Sequence, residues 1–574
     1  MRSGRRSSCN HRGIVIVLIA AGLLLQCLGE PATGKANEDE AKEEETIDGA
    51  VSWLDDDVVR SPGRRRLAVE VEEEEEKKIK EDASADADAN ANTNANSEEE
   101  TSDIAPAQLM SEDDKEMEAI TEELKSGRRF MEDRRLREKT VQRVRVLADE
   151  KQYPPAVSLM GEWYLYGKMV RERNETRGVE YLKRAAKEGE PVAQAELGFL
   201  YSTGLLQGLN LDKIEADTGK ALLYWFFASR AREPMSLMAS GFRHKNGLDT
   251  PKSCQTALMY YNPVAEAVVR SATGPGTIPP IEKIRLRSEY MESSLATGRE
   301  REEDMIKYYL NSADMGNPDA ANAIGQLLTW GAKGLPQDYE KAFHYFKLAA
   351  EQGNAEAVAQ LGHMYANGLG VEPSNETAID LFEQAMKEKN PLAFYGMGYM
   401  YQSGFGVEQK FSTAFDLFKK AAELGSADAQ FHLGAMYIAG LGVKRDYRKA
   451  FTHFNLAGYQ GSVLALYNLA MMHIKGLGVQ YDCQTAVTLL KTVAEKGIEW
   501  GSIVEEAYTL FKRKMYLPAV LLYIKAAEMG YEVAQANSAH ILSKYAKQLI
   551  KQAGIKDEPS RSKSLEFLQK LALR

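Results

Sequence analysis

The sequence predicts an all-α protein, an α-solenoid of stacked helix pairs preceded by a disordered acidic tail. Three observations predict it. Gly-x-Gly-Val quartets begin at Gly368, Gly404, Gly440 and Gly476, each 36 residues after the last. Within each unit, apolar and small residues recur at three- and four-residue steps, which is the helical period. Residues 37–115 hold 27 Asp/Glu against 9 Lys/Arg and few large apolar groups, too little apolar surface to offset chain entropy.

At the start of the chain, residues 1–29 read as a secretory leader. Arg2, Arg5, Arg6 and Arg12 precede the uncharged run Gly13–Leu25, with cleavage expected before Glu30. The run has 13 residues, short of the ~20 that span a bilayer; a retained signal anchor is the alternative. Residues 30–115 form the acidic region, read as a spacer, with a calcium-buffering arm as the other reading. The chain's net charge is −11 while residues 37–115 alone carry −18, so the body is close to neutral. That balance argues against a general nucleic-acid binder. Two of the four cysteines, Cys9 and Cys27, belong to the leader, which excludes a disulfide-dense fold and a four-cysteine zinc module from the remainder.

The body divides by repeat quality. Residues 116–270 hold a first repeat group, with weaker copies opened by Leu159-Met160-Gly161, Ala195-Glu196-Leu197-Gly198 and Ala239-Ser240-Gly241-Phe242. Residues 271–300 form a linker, where Gly274-Pro275-Gly276 and Pro279-Pro280 forbid continuous helix. Residues 301–497 are the main array. Ala342, Ala378, Ala414, Ala450 and Ala486 keep the period, as do Phe346, Phe382, Phe418, Phe454 and Leu490. Each unit reads as two helices, for example Ala427–Ala439 and Tyr447 to near Gln460. The glycine quartet turns the chain between them, since glycine accepts positive φ at little cost. Gly353, Gly425, Gly461 and Gly497 fit the C′ position after helix two, with Lys389 in that place once. Residues 498–545 read as a degenerate helix pair and 546–574 as a basic, Lys-rich tail. One such pair cannot bury its apolar face alone, so the pairs must stack into a continuous core. The first helices then line the concave side. Their Tyr365, Tyr401 and Tyr437 are candidate contact groups there, or pack between repeats.

The repeat unit resembles the Sel-one-like repeat, a relative of the tetratricopeptide repeat. Beyond the unit, several stretches resemble the Sel-one-L/Hrd-three family, luminal adaptors of the endoplasmic-reticulum ubiquitin ligase. These are Ser374–Ala378, Gly442–Tyr447, Ala465–Ala470 and, outside the repeat consensus, Gly530-Tyr531-Glu532-Val533-Ala534-Gln535. Ile281–Arg287 resembles the segment these adaptors place between their first and middle repeat groups. The resemblance covers about residues 150–545. It implies an endoplasmic-reticulum luminal adaptor that recruits misfolded glycoproteins, and lectin or chaperone partners, to a membrane ubiquitin ligase. A homodimer through repeat helices is a further implication. Family members carry later repeats and a C-terminal membrane helix; neither is read in residues 546–574.

No catalytic, cofactor or metal site is expected. The eight histidines form no His-x-x-x-His pair with an intervening glutamate. The glycine quartets are not phosphate loops, because no Lys-Ser/Thr follows them. Cys254 and Cys483 open identical Cys-Gln-Thr-Ala stretches. Roughly six repeats of ~10 Å per helix layer would separate them, against ~7 Å for a disulfide, so both are expected as buried free thiols. Asn174-Glu175-Thr176 and Asn375-Glu376-Thr377 are the Asn-x-Ser/Thr sites, expected in inter-helix turns that carry glycans. The functional reading is a non-catalytic adaptor of endoplasmic-reticulum-associated degradation. The alternative is a secretory-pathway scaffold that activates another membrane enzyme.

Overall fold

The computed structural model describes residues 111–125, 133–170, 172–272, 284–286, 298–331 and 335–573. The expected leader and nearly all of the expected acidic tail lie outside the described residues. Among the described residues, all regular structure is helical.

The first group opens with α1 (Glu112–Lys125) and α2 (Arg134–Arg145), the latter running into a π-turn at Val146–Glu150. Helix pairs follow: α3 (Pro154–Tyr166) with α4 (Glu175–Lys187); α5 (Pro191–Thr203) and the short α6 (Leu205–Gly208) with α7 (Thr218–Arg230); α8 (Pro234–Asn246) with α9 (Cys254–Ala272). The main array begins with a single helix, α10 (Gly298–Asp314). It continues as α11 (Pro318–Trp330) with α12 (Tyr339–Glu351), α13 (Ala355–Asn367) with α14 (Asn375–Lys387), and α15 (Pro391–Ser403) with α16 (Phe411–Glu423). Then come α17 (Ala427–Ala439) with α18 (Tyr447–Tyr459) and α19 (Val463–Lys475) with α20 (Cys483–Ala494). The last helices are α21 (Ile498–Lys512), α22 (Tyr516–Glu528), α23 (Glu532–Lys544), α24 (Ala546–Gln552) and α25 (Glu558–Leu573).

The repeated residues have direct physical jobs. Asp338, Ser374, Asp446 and Asp482 precede second helices, and each side chain accepts a backbone N–H of the first turn. That satisfies a donor the helix leaves open. Phe346, Phe382, Phe418 and Phe454 are at most 1% exposed. Each ring lies on a glycine of the paired first helix. A Cβ placed on Gly434 would sit 2.7 Å from the Phe454 ring, and one on Gly325 2.7 Å from Phe346. The leucine-glycine register is therefore a socket for the aromatic ring of the next helix. In the quartet, Gly440 and Gly442 have φ of +72° and +68°, and a Cβ on Gly442 would sit 2.6 Å from the backbone of Phe411. Only glycine meets both demands.

Lys389 takes up the left-handed conformation of the cap glycines (φ 56°), in the place expected of it. The structure departs from the sequence reading at two places. Gly497 does not take up that conformation: it precedes α21 with φ −66°. Residues 546–574, read as a tail, form α24 and α25, with Leu549 and Leu568 fully buried.

The largest correction concerns the course of the array. One hydrophobic core contains the first group (Leu165, Leu182, Trp225, Tyr261) together with Leu490 of α20 and the last helices (Leu517, Tyr523, Leu549). Helix α9 packs against α19 and α20, and α22 packs against α3 and α5. Cys254 and Cys483, expected as free thiols, are joined in a disulfide with Cα atoms 6.1 Å apart across 229 residues. The expectation assumed stacking in one direction, in which sequence distance becomes spatial distance. Here the far end of the main array returns to the first group, so six repeats of separation end in contact. No helix among the described residues is long and apolar enough to cross a membrane.

Candidate functional site

The junction between the first group and the last helices concentrates the buried polar chemistry of the chain. Helix α5 places Glu196 and helix α22 places Lys525 inside this interface. Glu196 is 0% exposed and Lys525 5%. The Lys525 ammonium donates to Glu196 Oε1, and Tyr166 Oη donates to Glu196 Oε2 at 2.8 Å. The ammonium also lies 5.9 Å from the ring centroids of Tyr166 and Phe199. Burial opposes the charge on Lys525, but Glu196 and Glu162 outweigh it and raise its pKa. Glu162, half-buried beside this pair, is pushed up to about 7 by burial and then by the Glu196 charge. Such a pair is a registration device, because either partner alone would leave a buried charge uncompensated.

Two further contacts fix the same junction. Arg243 of α8 is 3% exposed. It donates from Nη2 to Glu528 at 2.6 Å and from Nη1 to Asp249 at 2.8 Å, with its guanidinium 4.8 Å from the Trp225 ring centroid. At the surface, Lys168 pairs with Glu506 at 2.8 Å.

Described residues of the linker dock at the other side. Asn537 of α23 accepts the Leu286 N–H at Oδ1 (2.8 Å) and donates from Nδ2 to the Ile284 carbonyl (2.8 Å). One amide therefore satisfies a backbone N–H and a backbone carbonyl of the linker. Asn537 and Leu286 are each 1% exposed, and Arg285 pairs with Glu532 at 2.7 Å. Tyr531 is buried beneath, its hydroxyl donating to the Glu495 carbonyl at 3.2 Å. The two stretches that carry the family resemblance outside the repeat unit, Ile281–Arg287 and Gly530–Gln535, thus meet in space through their described residues.

The expected site residues fall elsewhere. Tyr437 is buried, its ring 5.6 Å from Phe415 of the preceding helix and stacked 5.5 Å from His453. Tyr365 is half-buried against Phe343, and Tyr401 is half-buried in the same core layer. These tyrosines therefore pack between repeats, the second of the two sequence readings. Asn174 is exposed and caps α4, while Asn375 is exposed in the first turn of α14. Both lie at helix starts rather than in mid-turn. Among the described residues, no cluster of three or more His, Cys, Asp or Glu side chains is arranged to hold a metal ion. The sequence did carry a signal for the junction. Lys525 is the one charge inside the apolar stretch Leu517–Ala526, and Glu196 interrupts a small-and-apolar helix face.

Comparison with known proteins places these features in a family context. The Sel1 repeat model matches residues 154–190, 191–231, 234–267, 318–354, 355–390, 391–426, 427–462, 463–498 and 519–531. Protein sel-1 homolog 2 of Homo sapiens is 39% identical over 194 residues, covering 34% of this chain and 27% of that protein. The ERAD-associated E3 ubiquitin-protein ligase component HRD3A of Arabidopsis thaliana is 30% identical over 194 residues, covering 33% of this chain and 27% of that protein. The match thus spans about a quarter of the length of these relatives. Among solved structures, a Sel1 repeat protein from Oxalobacter formigenes is 25% identical, covering 70% of this chain and 94% of that one, with a TM-score of 0.29.

Proposed function

The chain belongs to the Sel1 repeat family, and from that premise we propose that it is a non-catalytic adaptor of endoplasmic-reticulum-associated degradation. In this reading it works in the lumen, binds misfolded glycoproteins and lectin or chaperone partners, and links them to a membrane ubiquitin ligase. The observation that carries the proposal is the Leu286–Asn537 docking. Repeats alone are shared by proteins of many tasks, whereas Ile281–Arg287 and Gly530–Gln535 are the stretches that resemble the ligase adaptors in particular. Their described residues meet through the Arg285–Glu532 pair, and Asn537, two residues beyond the second stretch, holds the Leu286 N–H and the Ile284 carbonyl; this supports a shared architecture beyond the repeat. The HRD3A relative, by its name a ligase component, supports the same pathway.

The test is affinity purification of the epitope-tagged chain from its own cells under mild detergent. Recovery of a membrane ubiquitin ligase and a degradation lectin is the expected result. Recovery of neither, together with a different membrane enzyme, overturns the reading in favour of a scaffold that activates that enzyme.

A further inference from the structure

The outward face of α7 carries large apolar groups that nothing in the described chain covers. Leu223 is 55% exposed, Phe226 46% and Phe227 50%, while Ala221, Trp225 and Ala228 on the opposite side are fully buried. The buried residues recur at three- and four-residue steps, so the exposed ones form one stripe along the helix. The stripe continues onto α9. Ala221 and Ala257 are equivalent residues of adjacent second helices, 36 apart, and Met259, equivalent to Leu223, is 62% exposed.

The surrounding charge is mostly positive. On α4 and α7 the exposed ionisable residues are six cations, Arg177, Lys183, Arg184, Lys187, Lys220 and Arg230, against one carboxylate, Glu180; the exposed Glu188 and Glu215 border the two helices, and Lys220 pairs with Asp217 at 3.1 Å. This excess stands in a chain whose net charge is −11. The apolar side chains lie on the side of α7 opposite the buried Ala221, Trp225 and Ala228. Exposed phenylalanines and a leucine rimmed by Lys and Arg, on a helix otherwise anchored in a core, match the chemistry of an interfacial membrane contact.

We propose that the outward face of α7, extended by Met259 of α9, is a membrane-contact surface for anionic phospholipid. Phe226, Phe227 and Leu223 enter the headgroup region while the flanking cations of α4 and α7 meet the lipid phosphates. This lays the first repeat group flat on a bilayer. The inference stands apart from the adaptor reading, since it needs no ligase.

The test uses the full chain and vesicles of phosphatidylcholine with or without a quarter of phosphatidylglycerol. A Phe227→Trp variant is titrated with vesicles of the same composition containing brominated lipid. The expected result is quenching beyond that of the unsubstituted chain, which reports this position whatever residues 1–29 do. Phe226→Ser with Phe227→Ser should lower partitioning onto the anionic vesicles at least tenfold. Lys187→Ala with Arg230→Ala should lower it by roughly fivefold for each cation removed, with far less effect on neutral vesicles. All four positions are exposed, so unchanged thermal melting confirms intact folding. The proposal is overturned if the bound chain shows no added quenching in Phe227→Trp. It is equally overturned if the new tryptophan is shielded by a soluble amphipathic peptide and never by vesicles.

Discussion

Removing the Cys254–Cys483 bridge tests the returning course of the array most directly. The bond closes a loop across 229 residues. In the chain-entropy view, a cross-link limits the unfolded ensemble, and a loop of this length is worth at most about 5 kcal/mol. The folded state should survive the loss, because the core uniting first group and last helices runs continuously around the bridge. The Cys254→Ala, Cys483→Ala double variant should therefore keep its helical circular dichroism and lose up to about 5 kcal/mol in urea unfolding. The loss should appear as faster hydrogen exchange at α9 and α20 and leave α13–α16 unaffected. Non-reducing peptide mapping of the unsubstituted chain should recover the peptides holding Cys254 and Cys483 as one species. If both cysteines alkylate freely in the folded, unreduced protein, the two helices do not meet, and the junction described above fails with them.

Other outcomes follow from the same junction and from the buried titrating groups. Lys525→Met leaves Glu196 buried without its cation and should cost about 3–5 kcal/mol in urea unfolding, largely restored by adding Glu196→Leu. Asn537→Leu strands the Leu286 N–H and the Ile284 carbonyl and should cost about 2–4 kcal/mol, with exchange at Leu286 accelerated well beyond that in α17. Burial holds His432 down to about 4, so its neutral form belongs to the fold; that stability is present above the unfolded value near 6.5 and is lost as pH falls toward 4. The full loss is about 3 kcal/mol, and His432→Gln should flatten the decline of unfolding midpoint across that window. Glu162 works in the opposite sense, since its raised pKa makes protonation below about 7 favour the fold; Glu162→Gln should therefore steepen the acid loss. Thr176→Val and Thr377→Val should each remove one glycan step seen on endoglycosidase digestion of the protein from its own cells, because Asn174 and Asn375 both stand exposed at helix starts.

Much of the local architecture was legible in the residues. The period of 36 located the glycine quartets, and the structure places helices at Ala427–Ala439 and Tyr447–Tyr459, within a residue of the pattern's boundaries. Phe454 was legible as core because its stripe recurs at helical spacing. Gly434 was legible as a small residue that lets the paired helices approach closely; that the Phe454 ring fills the space is visible only when the two helices are assembled. The contact tyrosines were ambiguous for a related reason. Periodicity says that Tyr437 lies on a helix face, not which neighbour covers that face.

The sequence by itself determined the helix pairs, their caps and turns, and the stacking of each pair on the next, because these depend on residues fewer than about forty positions apart. It also carried the family resemblance, through stretches that need no geometry to be noticed. Only the tertiary structure decided that the array returns to its own beginning. That return depends on which faces far apart in sequence cover one another, and no local pattern encodes such a pairing. The consequences are the Cys254–Cys483 bond, the Lys525–Glu196 pair and the seat of Leu286 on Asn537. Each joins residues more than two hundred positions apart.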